Sequence, residues 1–86
     1  MDEPGITMYT TPGCGDCYVA KRTMARLGVP YREVDIRDDA GAREEVQRLN
    51  GGLRSVPTIV FPSGHVVVEP SAPQLEAVLR REGALA

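Results

Sequence analysis

Cys14 and Cys17 are the only thiols in the chain. They stand in Thr11-Pro12-Gly13-Cys14-Gly15-Asp16-Cys17, where a short apolar run gives way to a helical pattern. At a strand-to-helix junction one turn of helix brings two sulfurs so spaced within bonding distance, and the pair can cycle between dithiol and disulfide. The chemistry is redox exchange. A disulfide closing so short a loop would restrict the unfolded chain only slightly, which makes a structural staple the weaker reading.

Cys14 falls at or just before the first helical residue, where backbone amides point outward unpaired and the helix dipole is positive. A free cysteine is only a few per cent ionised at neutral pH, and such a position favours the thiolate. Cys14 is thus the expected nucleophile. Cys17, one turn further in, meets fewer free amides and is expected to be less exposed, which suits it to attack a mixed disulfide formed at Cys14 and release the product. Gly15 and Asp16 lie between the sulfurs and are expected to tune the exchange. The Asp16 carboxylate opposes thiolate formation, or it is simply an acidic first-turn residue favoured by the dipole.

The elements that position this pair read from the patterning. Ile6-Thr7-Met8-Tyr9 is a strand-like run ended by the loop Thr10-Thr11-Pro12-Gly13. From Cys14 to about Leu27, Ala20, Met24 and Leu27 recur at helical spacing, and Gly28 closes the helix. Tyr31 to Ile36 alternates, sending Tyr31, Glu33 and Asp35 to one side and Arg32, Val34 and Ile36 to the other. Its polarity predicts an edge strand. Asp38 or Asp39 caps a second helix running to about Asn50, with Ala42, Val46 and Leu49 on its apolar face. Thr58 to Phe61 and Val66 to Glu69 are β-rich runs joined by Pro62-Ser63-Gly64-His65, an antiparallel hairpin. Ser71-Ala72-Pro73-Gln74 has a capping-box shape, and Leu75, Val78 and Leu79 form the stripe of a last helix. A right-handed crossover makes the first two strands parallel and lets the hairpin add antiparallel. The predicted architecture is α/β, β-α-β-α-β-β-α, a four-stranded mixed sheet flanked by three helices and resembling the thioredoxin fold.

Length and charge narrow the classes. The 86 residues suffice for one domain with one core, and 42% hydrophobic with 26% charged residues is an ordinary globular composition. Ten basic against twelve acidic residues leave a net charge of -2 with no basic run to track a phosphate backbone, so nucleic acid is not an expected partner. Met1-Asp2-Glu3-Pro4 lacks the order of a secretory signal and no apolar stretch approaches membrane-spanning length, so a cytoplasmic protein with no membrane partner is expected. In a reducing cytosol a lone Cys-x-x-Cys is more often catalytic or metal-binding than structural.

Pro57 is the second informative residue, because it stands immediately before a strand near the core. A cis peptide between Val56 and Pro57 would turn the Val56 amide and carbonyl outward to pair with an extended substrate beside Cys14. From the residues alone an ordinary trans proline is the more frequent arrangement, since only about 5–6% of such bonds are cis.

With Cys-x-x-Cys after the first strand and Val56-Pro57 before the third, the chain resembles the glutaredoxins over nearly its whole length. Arg54-Ser55-Val56-Pro57-Thr58 is similar to the family's Arg-Thr-Val-Pro stretch, and the brevity without a Trp before Cys14 fits glutaredoxins better than thioredoxins. The resemblance implies a cis Pro57, Cys14 as nucleophile, Cys17 as resolving thiol and Val56 as backbone partner of a low-molecular-weight thiol. It further implies no bound cofactor, a low-molecular-weight thiol as reductant, disulfide-bearing proteins as substrates, a flavin-dependent NADPH reductase upstream and a monomer.

The lysine that classical glutaredoxins carry before the cysteine motif and their later Gly-Gly-x-Asp are replaced here by Thr10-Thr11-Pro12-Gly13 and Val68-Glu69-Pro70-Ser71. These groups hold glutathione's charged ends. Met8-Tyr9-Thr10-Thr11, Val34-Asp35-Ile36, Asn50-Gly51-Gly52 and Pro70-Ser71 are closer to the mycoredoxin branch, whose thiol is not glutathione. Thr10, Arg54 and Ser71 are the polar candidates for contact with such a thiol, or else loop and cap residues. Two alternatives remain: a redoxin feeding electrons to ribonucleotide reductase and recharged by thioredoxin reductase, and an iron-sulfur or zinc site in which Cys14 and Cys17 supply two ligands within a dimer.

Overall fold

The computed structural model describes residues 5–85, and the acidic amino-terminal stretch read above as no secretory signal lies outside them. The elements run β1 (Thr7–Thr10), α1 (Gly15–Leu27), β2 (Arg32–Asp35), α2 (Ala40–Leu49), β3 (Thr58–Val60), β4 (Val66–Val68) and α3 (Ala72–Arg81). The sheet order is β2-β1-β3-β4, with β1 parallel to β2 and antiparallel to β3, and β3 antiparallel to β4. This is the mixed sheet that the order of elements predicts, with β2 at an edge.

The alternation of each strand sorts the side chains onto two faces. Met8 and Ile59 go to the larger core, where Ala20 and Met24 of α1 meet Leu75, Val78 and Leu79 of α3. Tyr9, Val34 and Ile36 go to the other face, against Ala42 and Val46 of α2. Leu75 and Leu79 are fully buried, which contributes about 1.5–3 kcal/mol each relative to exposure. Among the described residues no helix is long and apolar enough to cross a membrane.

The ends of the elements follow their caps. Asp39, not Asp38, caps α2, its carboxylate accepting from the Ala42 amide at 3.0 Å. The capping box of α3 is complete: Ser71 Oγ accepts from the Gln74 amide at 3.2 Å and Gln74 Oε1 from the Ser71 amide at 2.8 Å. The hairpin strands are shorter than their apolar runs. Phe61 leaves β3 to donate its amide to the His65 carbonyl across the turn, and Glu69 leaves β4 at a φ of 50°.

Candidate active site

The loop from β1 to α1 delivers the first cysteine. Gly13 takes a φ of 79°, a conformation that favours glycine, and the chain then extends at Cys14 before the helix begins. Cys14 is therefore the N-cap of α1 rather than its first residue. Its Sγ accepts a hydrogen bond from the Cys17 amide at 3.0 Å, the contact that Ser or Asp oxygens make at other helix starts. The sulfur is half-buried and meets one of the free amides at the positive end of the helix.

Cys17, one turn on, is 1% exposed. Its thiol is pushed up to about 12, first by burial and then by its hydrogen bond with Cys14, while the Thr11 backbone and the Lys21 ammonium pull the other way. The two sulfurs thus differ as the sequence leads one to expect, one reachable and one enclosed. Gly15 and Asp16 are both exposed on the first turn of α1. A Cβ at Gly15 would meet nothing within 4 Å, so space does not demand glycine there.

The facing wall comes from the segment before β3. The Val56–Pro57 peptide is cis, and the Cys14 thiol lies 3.8 Å from the Val56 carbonyl oxygen as a donor. This segment is stitched down on both sides. Thr58 Oγ1 donates to the Ser55 carbonyl at 2.7 Å and accepts from Asn50 Nδ2 at 3.1 Å, while the Glu69 amide donates to the Pro57 carbonyl at 2.9 Å. The C-cap of α2 and the departure from β4 thus hold the Val56–Pro57 segment, whose Val56 carbonyl faces Cys14.

The other polar candidates are differently employed. Arg54 is exposed two residues before Val56. Ser71 spends its hydroxyl on the cap of α3. Thr10 is 2% exposed, inside the wall rather than at the surface, and its hydroxyl donates to Glu33 Oε2 at 2.8 Å. Of the two tyrosines flanking the thiols, Tyr9 packs toward α2, whereas Tyr18 is 58% exposed with the Arg22 guanidinium 5.7 Å over its ring. His65 is exposed in the hairpin turn. Among the described residues no three His, Cys, Asp or Glu side chains come together as a metal site requires.

One pair escaped the sequence reading. Lys21 Nζ lies 3.1 Å from the same Glu33 oxygen that Thr10 engages, and Lys21 lines a groove of about 390 Å³ with Thr11, Cys14 and Cys17. The signal was present: Lys21 is one helical turn beyond Cys17, and Glu33 alternates onto the sheet face that α1 covers.

A half-buried sulfur at a helix N-terminus, backed by a second thiol and facing a fixed backbone segment, is equipped for exchange with a disulfide. Known proteins agree. The Glutaredoxin family model matches residues 6–67. A Mycobacterium tuberculosis protein named for the glutaredoxins is 40% identical over 79 residues, covering 92% of this chain and 94% of that protein. A glutaredoxin of Neisseria meningitidis is 44% identical over 63 residues, 71% of this chain and 72% of its own. The crystal structure of a glutaredoxin from Archaeoglobus fulgidus shares the fold with a TM-score of 0.77 at 21% identity, over 92% of this chain and 89% of that one. The chain belongs to the glutaredoxin family, thiol-disulfide oxidoreductases of thioredoxin-like fold.

Proposed function

We propose that this protein reduces mixed disulfides between proteins and a low-molecular-weight thiol, with Cys14 as nucleophile and Cys17 as resolving thiol. The observation that carries the reading is the half-buried Cys14 sulfur, at the N-cap of α1 and within hydrogen-bond reach of the Val56 carbonyl. The Cys14 thiolate attacks the small thiol's sulfur in the mixed disulfide; a bond from Cys14 to that sulfur forms, and the substrate protein's sulfur leaves as a thiolate and takes up a proton. Either a second small thiol or Cys17 then attacks. In the first case the two small thiols leave as their disulfide; in the second the Cys14–Cys17 disulfide forms and the small thiol is released. The Val56 backbone and Pro57 form the wall against which the substrate lies, and Arg54, two residues earlier, is a candidate donor to a small thiol's oxygens.

The replacement of the lysine before the motif and of Gly-Gly-x-Asp favours a thiol of the mycothiol or bacillithiol type over glutathione, as does the similarity to the mycobacterial protein. The thiol is in turn kept reduced by a flavin-dependent NADPH reductase. An exchangeable dithiol belongs to a reducing compartment, here the cytosol, with the protein acting there as a single-domain monomer.

The test incubates oxidised protein with glutathione, mycothiol, bacillithiol, or thioredoxin reductase plus NADPH, and follows the return of free thiols. Fastest reduction by mycothiol or bacillithiol is expected. Reduction by thioredoxin reductase alone would overturn the proposal in favour of a ribonucleotide-reductase type of redoxin. Cys14→Ser abolishes turnover, whereas Cys17→Ser retains reduction of the small-thiol mixed disulfide; loss of that activity too would refute the mixed-disulfide assignment.

A further inference from the structure

The resolving thiol faces a difficulty that the nucleophile does not. Cys17 is 1% exposed, and its burial disfavours the thiolate it must become before it can attack. The charged and titratable groups acting on it from the surrounding elements are Cys14 and Lys21 on α1, with the Thr11 backbone at the end of β1. Cys14 opposes ionisation of Cys17 only while it is itself a free thiol or thiolate. Once Cys14 is tied up in a mixed disulfide, Lys21 is the one charged side chain among these.

Lys21 is paired across the fold. Its ammonium lies 3.1 Å from Glu33 Oε2, and the same oxygen accepts from the buried Thr10 hydroxyl at 2.8 Å. Thr10 belongs to β1, Glu33 to β2 and Lys21 to α1, so three elements meet at this oxygen, and Lys21 lines the groove that Cys14 and Cys17 also line. Tyr31, just before β2, also acts on Lys21, and it packs against the larger core.

We infer that Lys21, anchored by Glu33 and Thr10, is a positioning residue for the second half of the exchange, where its charge favours the Cys17 thiolate that attacks the disulfide at Cys14. Cys17 gives its proton to solvent; its Sγ bonds to Cys14 Sγ, the Cys14 bond to the small thiol breaks, and that thiol leaves as a thiolate that takes up a proton. The mixed disulfide is the oxidant, so no further reactant is needed. The inference rests on the roles proposed above for Cys14 and Cys17.

A chromogenic aromatic disulfide, 5,5′-dithiobis(2-nitrobenzoate), separates the steps. Mixed in stopped flow with the reduced protein, it releases one coloured thiolate when Cys14 attacks and a second when Cys17 resolves. Cys17→Ser identifies the second phase by losing it. Lys21→Met is expected to slow that phase about fivefold at pH 7, the size of a single charge acting through a partly solvated gap, and to move its acid limb to higher pH. The first phase stays within about twofold. Lys21→Arg, which keeps the charge, restores the second phase. An unchanged second phase in Lys21→Met, equal slowing of both phases, or failure of Lys21→Arg to restore the rate would overturn the inference. Loss of the first phase in the otherwise unaltered protein, or a second phase persisting in Cys17→Ser, would instead refute the roles of Cys14 and Cys17.

Discussion

Replacing Cys17 with alanine in the reduced protein is expected to flatten its loss of stability at alkaline pH. In the folded chain the Cys17 thiol is raised from 9.0 to about 12, chiefly by burial, whereas in the unfolded chain it returns to its ordinary value. Between those limits the unfolded state gives up a proton that the folded state keeps, so stability is fully present below the unfolded value and falls as pH rises toward the folded one. Each pH unit in this window costs about 1.4 kcal/mol, hence about 2 kcal/mol by pH 10.5. Urea midpoints measured from pH 8 to 10.5, with a phosphine keeping both cysteines reduced, give the curve. Alanine loses some packing at every pH, an offset that leaves the slope untouched. Lys21 and Tyr31 are also raised, Lys21 by its hydrogen bond with Glu33 and Tyr31 by burial, but both proteins share them. The difference between the two curves therefore reports Cys17 together with the small part of the Lys21 shift that Cys17 itself causes. Parallel curves would show that the buried sulfur is not held protonated and would remove the need for a charge to assist it.

Cys14 is the helix cap and the proposed nucleophile, and the two roles separate by substitution. Cys14→Ser keeps an acceptor for the Cys17 amide and is expected to retain thermal stability while losing exchange, whereas Cys14→Ala loses the cap as well and about 1 kcal/mol; melting curves of equal midpoint would argue against the capping role. Asp39 caps α2 through the Ala42 amide, so Asp39→Ala is expected to cost about 1 kcal/mol, or about 4–8 °C in midpoint for a domain of this size, with the rate of thiol exchange unchanged.

What the sequence disclosed and what it hid follow from the range of the interactions. The Cys14–Cys17 spacing, the cap at Ser71 and the apolar stripe of α3 are written within one or two helical turns, and all three stand in the structure as their local patterns require. The hairpin strands are shorter than their runs because β-branched residues continue past the point where the ladder ends, and the turn then claims Phe61. Thr10 shows a different limit. Beside the cysteine loop its hydroxyl suggested a ligand contact, yet strand alternation turns it inward toward the face that α1 covers. A hydroxyl so enclosed needs a partner, and an edge-strand glutamate on the same face needs one too. Each answers the other's requirement, and Lys21 completes the charge balance from α1 across 12 residues of chain that the parallel crossover folds back. Helical spacing places Lys21 and strand alternation places Glu33, but neither local pattern joins them, because the cluster exists only once β1, β2 and α1 are assembled. The same assembly encloses Cys17, and it pairs Glu33 of β2 with the lysine that α1 already places one turn beyond that thiol.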